Sequence, residues 1–234
     1  MSGQGRKKIL FDLDDTILDF HTAERHALKA AFDKLAIAAD DELLSRYSEI
    51  NAWCWQQLEL GKMTREEVLV SRFEKLFREK EIDCDARMAQ DCYEGFLESG
   101  HFFVPGAVEL LDELYPRYNL YLVSNGNTVT QESRLKSAGI APYFKGIFIS
   151  EQIGVNKPAR EFFEACFSEI PDFQAEDAVI VGDSLTSDIR GGINAGVKTC
   201  WFNPDHKPER DDIKADYMFH ALSELPALLE TIFT

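Results

Sequence analysis

Short apolar runs, each closed by turn residues, recur along the chain at Ile9–Leu13, Leu120–Ser124, Gly146–Ile149, Ala178–Val181 and Val197–Phe202, with a weaker one at Tyr217–Phe219. Runs of this length without polar alternation predict strands buried on both faces. Between them, helical spacing of apolar positions covers Pro105–Leu114, Thr128–Ala138, Pro158–Glu169, Thr186–Ala195 and Leu222–Ile232; the first and third open on proline, a favoured first-turn residue. Strand and helix alternate from residue 105 onward. That alternation predicts an α/β fold built of βαβ units, with a parallel sheet covered on both faces and ligands bound beyond the carboxyl ends of the strands.

Residues 20–100 break the pattern. Helical segments are expected near 22–38, 41–60, 64–80 and 85–98, with no convincing strand. Thr64-Arg65-Glu66-Glu67 fits a capping box at a helix start, and Gly61 just before it suits a helix end. The chain therefore divides into an α/β core of residues 1–18 and 102–234 and an all-helical insert of residues 19–101.

Composition narrows the partners. Lys and Arg number 25 against 41 Asp and Glu, a net charge of −16, and such a field repels nucleic-acid polymers and acidic membrane surfaces. A small phosphorylated metabolite remains compatible, because a bound cation and one lysine reverse the field locally. The five cysteines, Cys54, Cys84, Cys92, Cys166 and Cys200, are odd in number and never form C-x-x-C, which reads as free thiols. No apolar stretch approaches the ~20 residues of a membrane span. Only Ile9-Leu10-Phe11 follow the basic N-terminal residues before Asp12, far short of a secretory signal. A cytoplasmic location is expected; oligomeric state has no signature in the sequence.

The chemistry concentrates at strand ends. Ile9-Leu10-Phe11 empties into Asp12, Asp14 and Asp15, and anions crowded in this way repel one another unless a cation or a proton intervenes. A solvated turn in an acidic chain is the plain alternative. Val179-Ile180-Val181-Gly182-Asp183, followed by Asp188, repeats the layout, with Asp183 or Ser184 also suited to cap a helix. Two such ends can meet on one Mg²⁺, which prefers oxygen ligands. Ser124-Asn125-Gly126 adds a hydroxyl and backbone donors at a third end, and Lys157 adds an ammonium just before a helix. Carboxylates, hydroxyl and ammonium on one edge suit Mg²⁺ and a phosphate.

In this order, Asp12-x-Asp14-x-Thr16, Ser124, Lys157 and Gly182-Asp183-x4-Asp188 resemble the four motifs of the haloacid dehalogenase-like hydrolases. The resemblance spans the chain. It implies a Rossmann-like core and identifies the insert as the cap of that superfamily. Asp14 favours the phosphatases, since the dehalogenating members lack an aspartate there. Phe11-Asp12-x-Asp14-Asp15-Thr16, Gly191-Gly192-Ile193-Asn194-Ala195-Gly196 and Trp201-Phe202-Asn203-Pro204, with Trp55, Glu59-Leu60-Gly61 and Arg72-Phe73 in the insert, are similar to the YjjG-type pyrimidine 5′-nucleotidases.

The resemblance implies Asp12 as nucleophile forming an aspartyl-phosphate, Asp14 as acid and base, and Ser124, Asn125 and Lys157 as phosphate ligands. Mg²⁺ would be held by Asp12, Asp183 and the Asp14 carbonyl, with Thr16 and Asp188 supporting. Phe20, His21 and Trp55 are candidates for contacting a planar base. The alternatives are a broad sugar-phosphate phosphatase, a metal-free 2-haloacid dehalogenase and a non-catalytic binding protein of the same fold. His26, His101, His206 and His220 show no metal-ligand spacing, and Trp53, which like Trp55 could stack on a base, reads as part of the helical core.

Overall fold

Six strands, β1 (Lys8–Phe11), β2 (Asn119–Ser124), β3 (Phe144–Ile149), β4 (Ala178–Gly182), β5 (Lys198–Phe202) and β6 (Tyr217–Phe219), form one sheet in the order β3-β2-β1-β4-β5-β6. Every pairing is parallel. The coordinates are a computed structural model in which residues 6–234 are described. Strand order reverses between β1 and β4, the switch point at which doubly wound sheets open a crevice beyond their carboxyl ends. Phe11 lies opposite both Leu122 and Val181, so the three central strands end nearly level.

The chain divides into two compact units. The first comprises the described part of Met1–Asp19 with Phe103–Thr128 and Ala138–Thr234. Besides the sheet it holds α5 (Ala107–Leu114), α7 (Ser150–Ile153), α8 (Arg160–Glu169), α9 (Arg190–Ala195) and α10 (Leu225–Ile232). Phe162, Phe163 and Cys166 of α8 pack on Leu10, Tyr121, Val123 and Ile180. Ile9, Phe11, Leu120, Leu122, Val179 and Val181, which alternate with them, are fully buried too. Both faces are therefore covered, which is why the strands read as unbroken apolar runs.

The second unit comprises Phe20–Phe102 and Val129–Ser137. It holds α1 (Phe20–Lys34), α2 (Asp41–Glu59), α3 (Arg65–Glu79) and α4 (Ala86–Leu97), packed around Phe32, Tyr47, Phe73, Leu76 and Tyr93. The Thr64–Glu67 capping box forms with both hydrogen bonds in place, 3.2 and 2.7 Å, and Gly61 takes the left-handed conformation (φ +67°) after α2. Arg72 is buried among the aromatic rings and donates to Asn51 and Gln90 at 2.7 Å each. Asn51 in turn donates to Glu24 at 2.6 Å. Burial pushes the Glu24 carboxyl up, against the pull of Ser48, Arg72 and Asn51.

Several sequence expectations shift. Residues 129–137 belong to α6 (Thr128–Ala138), which the sequence assigns wholly to the core, yet they cluster with the insert. The cause is polar: buried Arg134 donates Nε to the Gly100 carbonyl (3.2 Å) and lies over the Phe20 ring, and Thr130 donates to Glu94 (3.1 Å). Pro105 and Pro158 both fall before their helices, which begin at Ala107 and Arg160. The helix expected over Thr186–Ala195 is two pieces, a π turn at Leu185–Ile189 and then α9. The five cysteines are free, and among the described residues no helix is long and apolar enough to cross a membrane.

Gly191 and Gly192 bring α9 close against its neighbours. A Cβ on Gly192 would lie 2.5 Å from Ile180 Cγ2 and 2.6 Å from Thr199 Cγ2, distances that force the sheet or the helix to move. Gly192→Ala is therefore expected to lower unfolding free energy by roughly 1–3 kcal/mol. Urea denaturation followed by far-UV circular dichroism measures it.

Candidate active site

Asp12 is the first residue past β1. Its N–H continues the ladder to the Val181 carbonyl at 2.9 Å, which sets its side chain at the switch point. The chain then turns sharply: Ile17 and Leu18 both donate to the Leu13 carbonyl, Asp15 donates to Leu18 at 2.7 Å, and Asp15 adopts φ +58°. This turn carries Asp14 and Thr16. Thr16 is fully buried, and its hydroxyl has no hydrogen-bond partner among the described residues.

The centre of the site is an ammonium. Lys157, 2% exposed, donates Nζ to Asp12 Oδ1 at 2.6 Å, to Asp188 Oδ1 at 2.7 Å and to the Val123 carbonyl at 2.9 Å. All three of its donors are spent. Burial pulls this ammonium towards deprotonation, but the Asp12 and Asp188 carboxylates outweigh it and hold its pKa well above the usual lysine value.

Two devices hold this lysine and its partners. The Asn125 side chain clamps the Lys157 main chain, accepting from its N–H at 2.8 Å and donating to its carbonyl at 2.9 Å, with a longer bond to Ser187 Oγ at 3.3 Å. Asn125, an expected phosphate ligand, thus has its amide engaged in placing Lys157. Ser124 Oγ accepts the Gly126 N–H at 3.0 Å, closing the turn beyond β2.

The second device is at β4. Ser184 caps the π turn by accepting from the Ser187 N–H at 3.1 Å, and Asp188 Oδ2 accepts the Ser184 N–H at 3.1 Å. The wider turn lays Asp188 directly over Gly182, where a Cβ would sit 2.2 Å from Asp188 Oδ2. Only glycine permits that approach. A Gly directly before the strand-end Asp was the available sequence signal for this requirement. Trp201, unassigned by the chemical reading, fixes the neighbouring backbone by donating Nε1 to the Asp183 carbonyl at 2.8 Å.

Asp12, Asp183 and Asp188 each place a carboxylate oxygen within 4.8 Å of the other two. Asp12 and Asp188 share one ammonium and Asp183 adds a third carboxylate beside them, so the excess negative charge must be met by protons or a cation. Burial, then Asp188, raises the Asp12 pKa well above the carboxylate range, with Lys157 opposing; burial, then Asp12 and Asp188, raises that of Asp183. A small oxygen-seeking divalent cation fits this donor set. Asp188, expected in a supporting role, is itself in the triad and in the lysine pair. Phe20, His21 and Trp55 lie in the other unit: Phe20 beneath Arg134 at the start of α1, His21 beside it, and Trp55 partly buried against the insert core with Arg65 over its ring.

The family of haloacid dehalogenase-like hydrolases matches residues 7–196, a span that includes every residue of this cluster. The chain belongs to that family. This haloacid dehalogenase-like hydrolase is 44% identical over 223 residues to the HAD-hydrolase YfnB of Bacillus subtilis, covering 95% of each chain. A crystal structure of YfnB bound to magnesium superposes with a TM-score of 0.92 at 43% identity, covering 96% of this chain and 98% of that one. The pyrimidine 5′-nucleotidase PynA of Streptococcus pneumoniae is 37% identical over 94% of this chain and 93% of its own length. The pyrimidine 5′-nucleotidase YjjG of Escherichia coli is 28% identical over 94% and 96%.

The raised carboxyls give a sign to the pH dependence. Asp12 and Asp183 bind protons more tightly folded than unfolded, so the cation-free protein loses stability as pH rises above about 4, the unfolded carboxylate value, through their raised folded values. A divalent cation replaces those protons. The increase in Tm produced by Mg²⁺, relative to EDTA, is therefore expected to be larger at pH 8 than at pH 5; scanning fluorimetry at both pH values checks it.

Proposed function

We propose that this hydrolase is a Mg²⁺-dependent phosphomonoesterase that works through an aspartyl-phosphate on Asp12, with pyrimidine nucleoside 5′-monophosphates as its preferred substrates. The observation that carries the reaction class is the Asp12–Lys157–Asp188 arrangement beside Asp183, a carboxylate nucleophile held by a buried ammonium at the carboxyl edge of the sheet. The similarity to PynA and YjjG supports the substrate class.

Asp12 attacks phosphorus and the ester oxygen departs, which splits one displacement into two easier steps. Asp14 gives its proton to the departing alkoxide and afterwards takes one from the water that cleaves the acyl phosphate, regenerating Asp12. Lys157 keeps the Asp12 carboxylate oriented and offsets charge on the phosphoryl oxygens, and Asp188 keeps Lys157 in place. Ser124 and the backbone donors after it complete the phosphoryl cradle. Asp12 and Asp183, with Asp188 beside them, would hold Mg²⁺, which when bound supplies Lewis-acid stabilisation of phosphoryl charge.

Asp12→Asn is expected to remove turnover by more than about a thousandfold without unfolding the protein. Asp14→Asn should slow nucleotides by roughly a hundredfold or more and 4-nitrophenyl phosphate far less, because nitrophenolate departs without a proton. Equal losses on the two substrates reject the proton shuttle. Phosphate release from UMP, CMP and dUMP should exceed that from hexose phosphates in kcat/KM and vanish with EDTA; the reverse ranking makes the protein a sugar-phosphate phosphatase.

A further inference from the structure

The loop after β5 is built around one buried amide. Asn203 is 2% exposed, and its N–H donates to the Phe219 carbonyl at 2.8 Å, tying the end of β5 to β6. Its side chain grips Lys207 by the backbone, accepting from the N–H at 2.8 Å and donating to the carbonyl at 2.9 Å. Its own carbonyl accepts the His206 N–H at 3.2 Å and lies 2.6 Å from His220 Nδ1. The 203–207 turn is therefore fixed, while the Lys207 side chain it presents is about half exposed and pairs only loosely with Asp205, at 3.5 Å.

That turn is adjacent to the metal-binding end of the sheet. Gly182 pairs with Trp201, so Asp183 and Asn203 continue neighbouring parallel strands, and the Trp201–Asp183 bond locks the two ends together. Through the Asn203 clamp, Lys207 is held at this same carboxyl edge, just beyond the end of β5. A phosphate dianion approaching this edge meets Asp12, Asp14, Asp15, Asp183 and Asp188, while Lys157 is buried with its donors spent. An accessible cation at the rim counters that repulsion for an anion and adds to it for a metal ion.

We propose that Lys207, presented by the Asn203 clamp, is a rim cation that draws the anionic substrate in and at the same time loosens the hold on the divalent metal. Asn203 is the positioning residue. The substrate half rests on the phosphomonoesterase reading; the metal half rests on the carboxylate cluster alone. The two effects have opposite signs, which a merely structural role does not produce.

Calorimetric titration of the full chain with Mg²⁺, and then with inorganic phosphate at saturating Mg²⁺, separates them. Lys207→Met is expected to bind Mg²⁺ roughly threefold more tightly and phosphate roughly threefold more weakly, the scale of one screened surface charge. Both shifts should shrink in 0.5 M NaCl, the added salt shortening the screening length towards ~4 Å. Lys207→Arg should restore both affinities, and Asn203→Ala should move both in the direction of Lys207→Met. Unchanged affinities, or weakening of both, overturn the proposal; tighter Mg²⁺ with unchanged phosphate overturns its substrate half. Failure of the wild-type protein to bind phosphate overturns the phosphomonoesterase reading instead, and the Mg²⁺ shift then decides the role of Lys207.

Discussion

The arrangement at the carboxyl edge depends on one buried ammonium. Lys157 is almost fully enclosed and carries its charge only because Asp12 and Asp188 stand within 2.7 Å of it. A charge so placed is costly unless it is paired and its donors are satisfied, and here each donor has an acceptor. The same contacts fix the direction of the Asp12 carboxylate. Orientation of the Asp12 carboxylate and neutralisation of the lysine are one interaction.

Much of the surrounding structure maintains that contact. The Asn125 clamp sets the Lys157 main chain, the π turn swings Asp188 inward, and Gly182 makes room for it. A π turn is less favourable than regular helix and tends to occur where a side chain must be aimed. The one-residue widening aims Asp188 at the lysine, and the N–H of Ser184 holds its other oxygen. Four short segments, which follow β1, β2, β3 and β4 and carry Asp12, Asn125, Lys157 and Asp188, thus converge on a site that none of them forms alone.

The insert shows the same economy in a different setting. Arg72 sits in an aromatic core, bonded to Asn51 and Gln90, with Glu24 one link away. Buried groups of this kind must be satisfied together or not at all, so they restrict how the four helices pack. Arg134 extends the same logic to α6, binding Val129–Ser137 into the insert unit through the Gly100 carbonyl and the Phe20 ring.

Sequence by itself determined the elements and the chemistry on offer. Burial on both faces leaves unbroken apolar runs, and helix ends carry local caps such as Thr64–Glu67, so strands, helices and the helical insert were legible within a few residues. Asp12, Asp183, Lys157 and Asp188 were legible too, because polar residues directly after buried strands stand out. Tertiary structure alone decided which of them meet. The pairing of Lys157 with Asp12 joins residues 145 positions apart, and the level ends of β2, β1 and β4 follow from sheet register. The membership of α6 in the insert unit, the use of the Asn125 side chain on the Lys157 backbone, and the Asn203 turn that presents Lys207 also lay beyond local pattern. Each is a long-range hydrogen bond or close approach, and sequence periodicity records only which side of an element is buried, not what it is buried against.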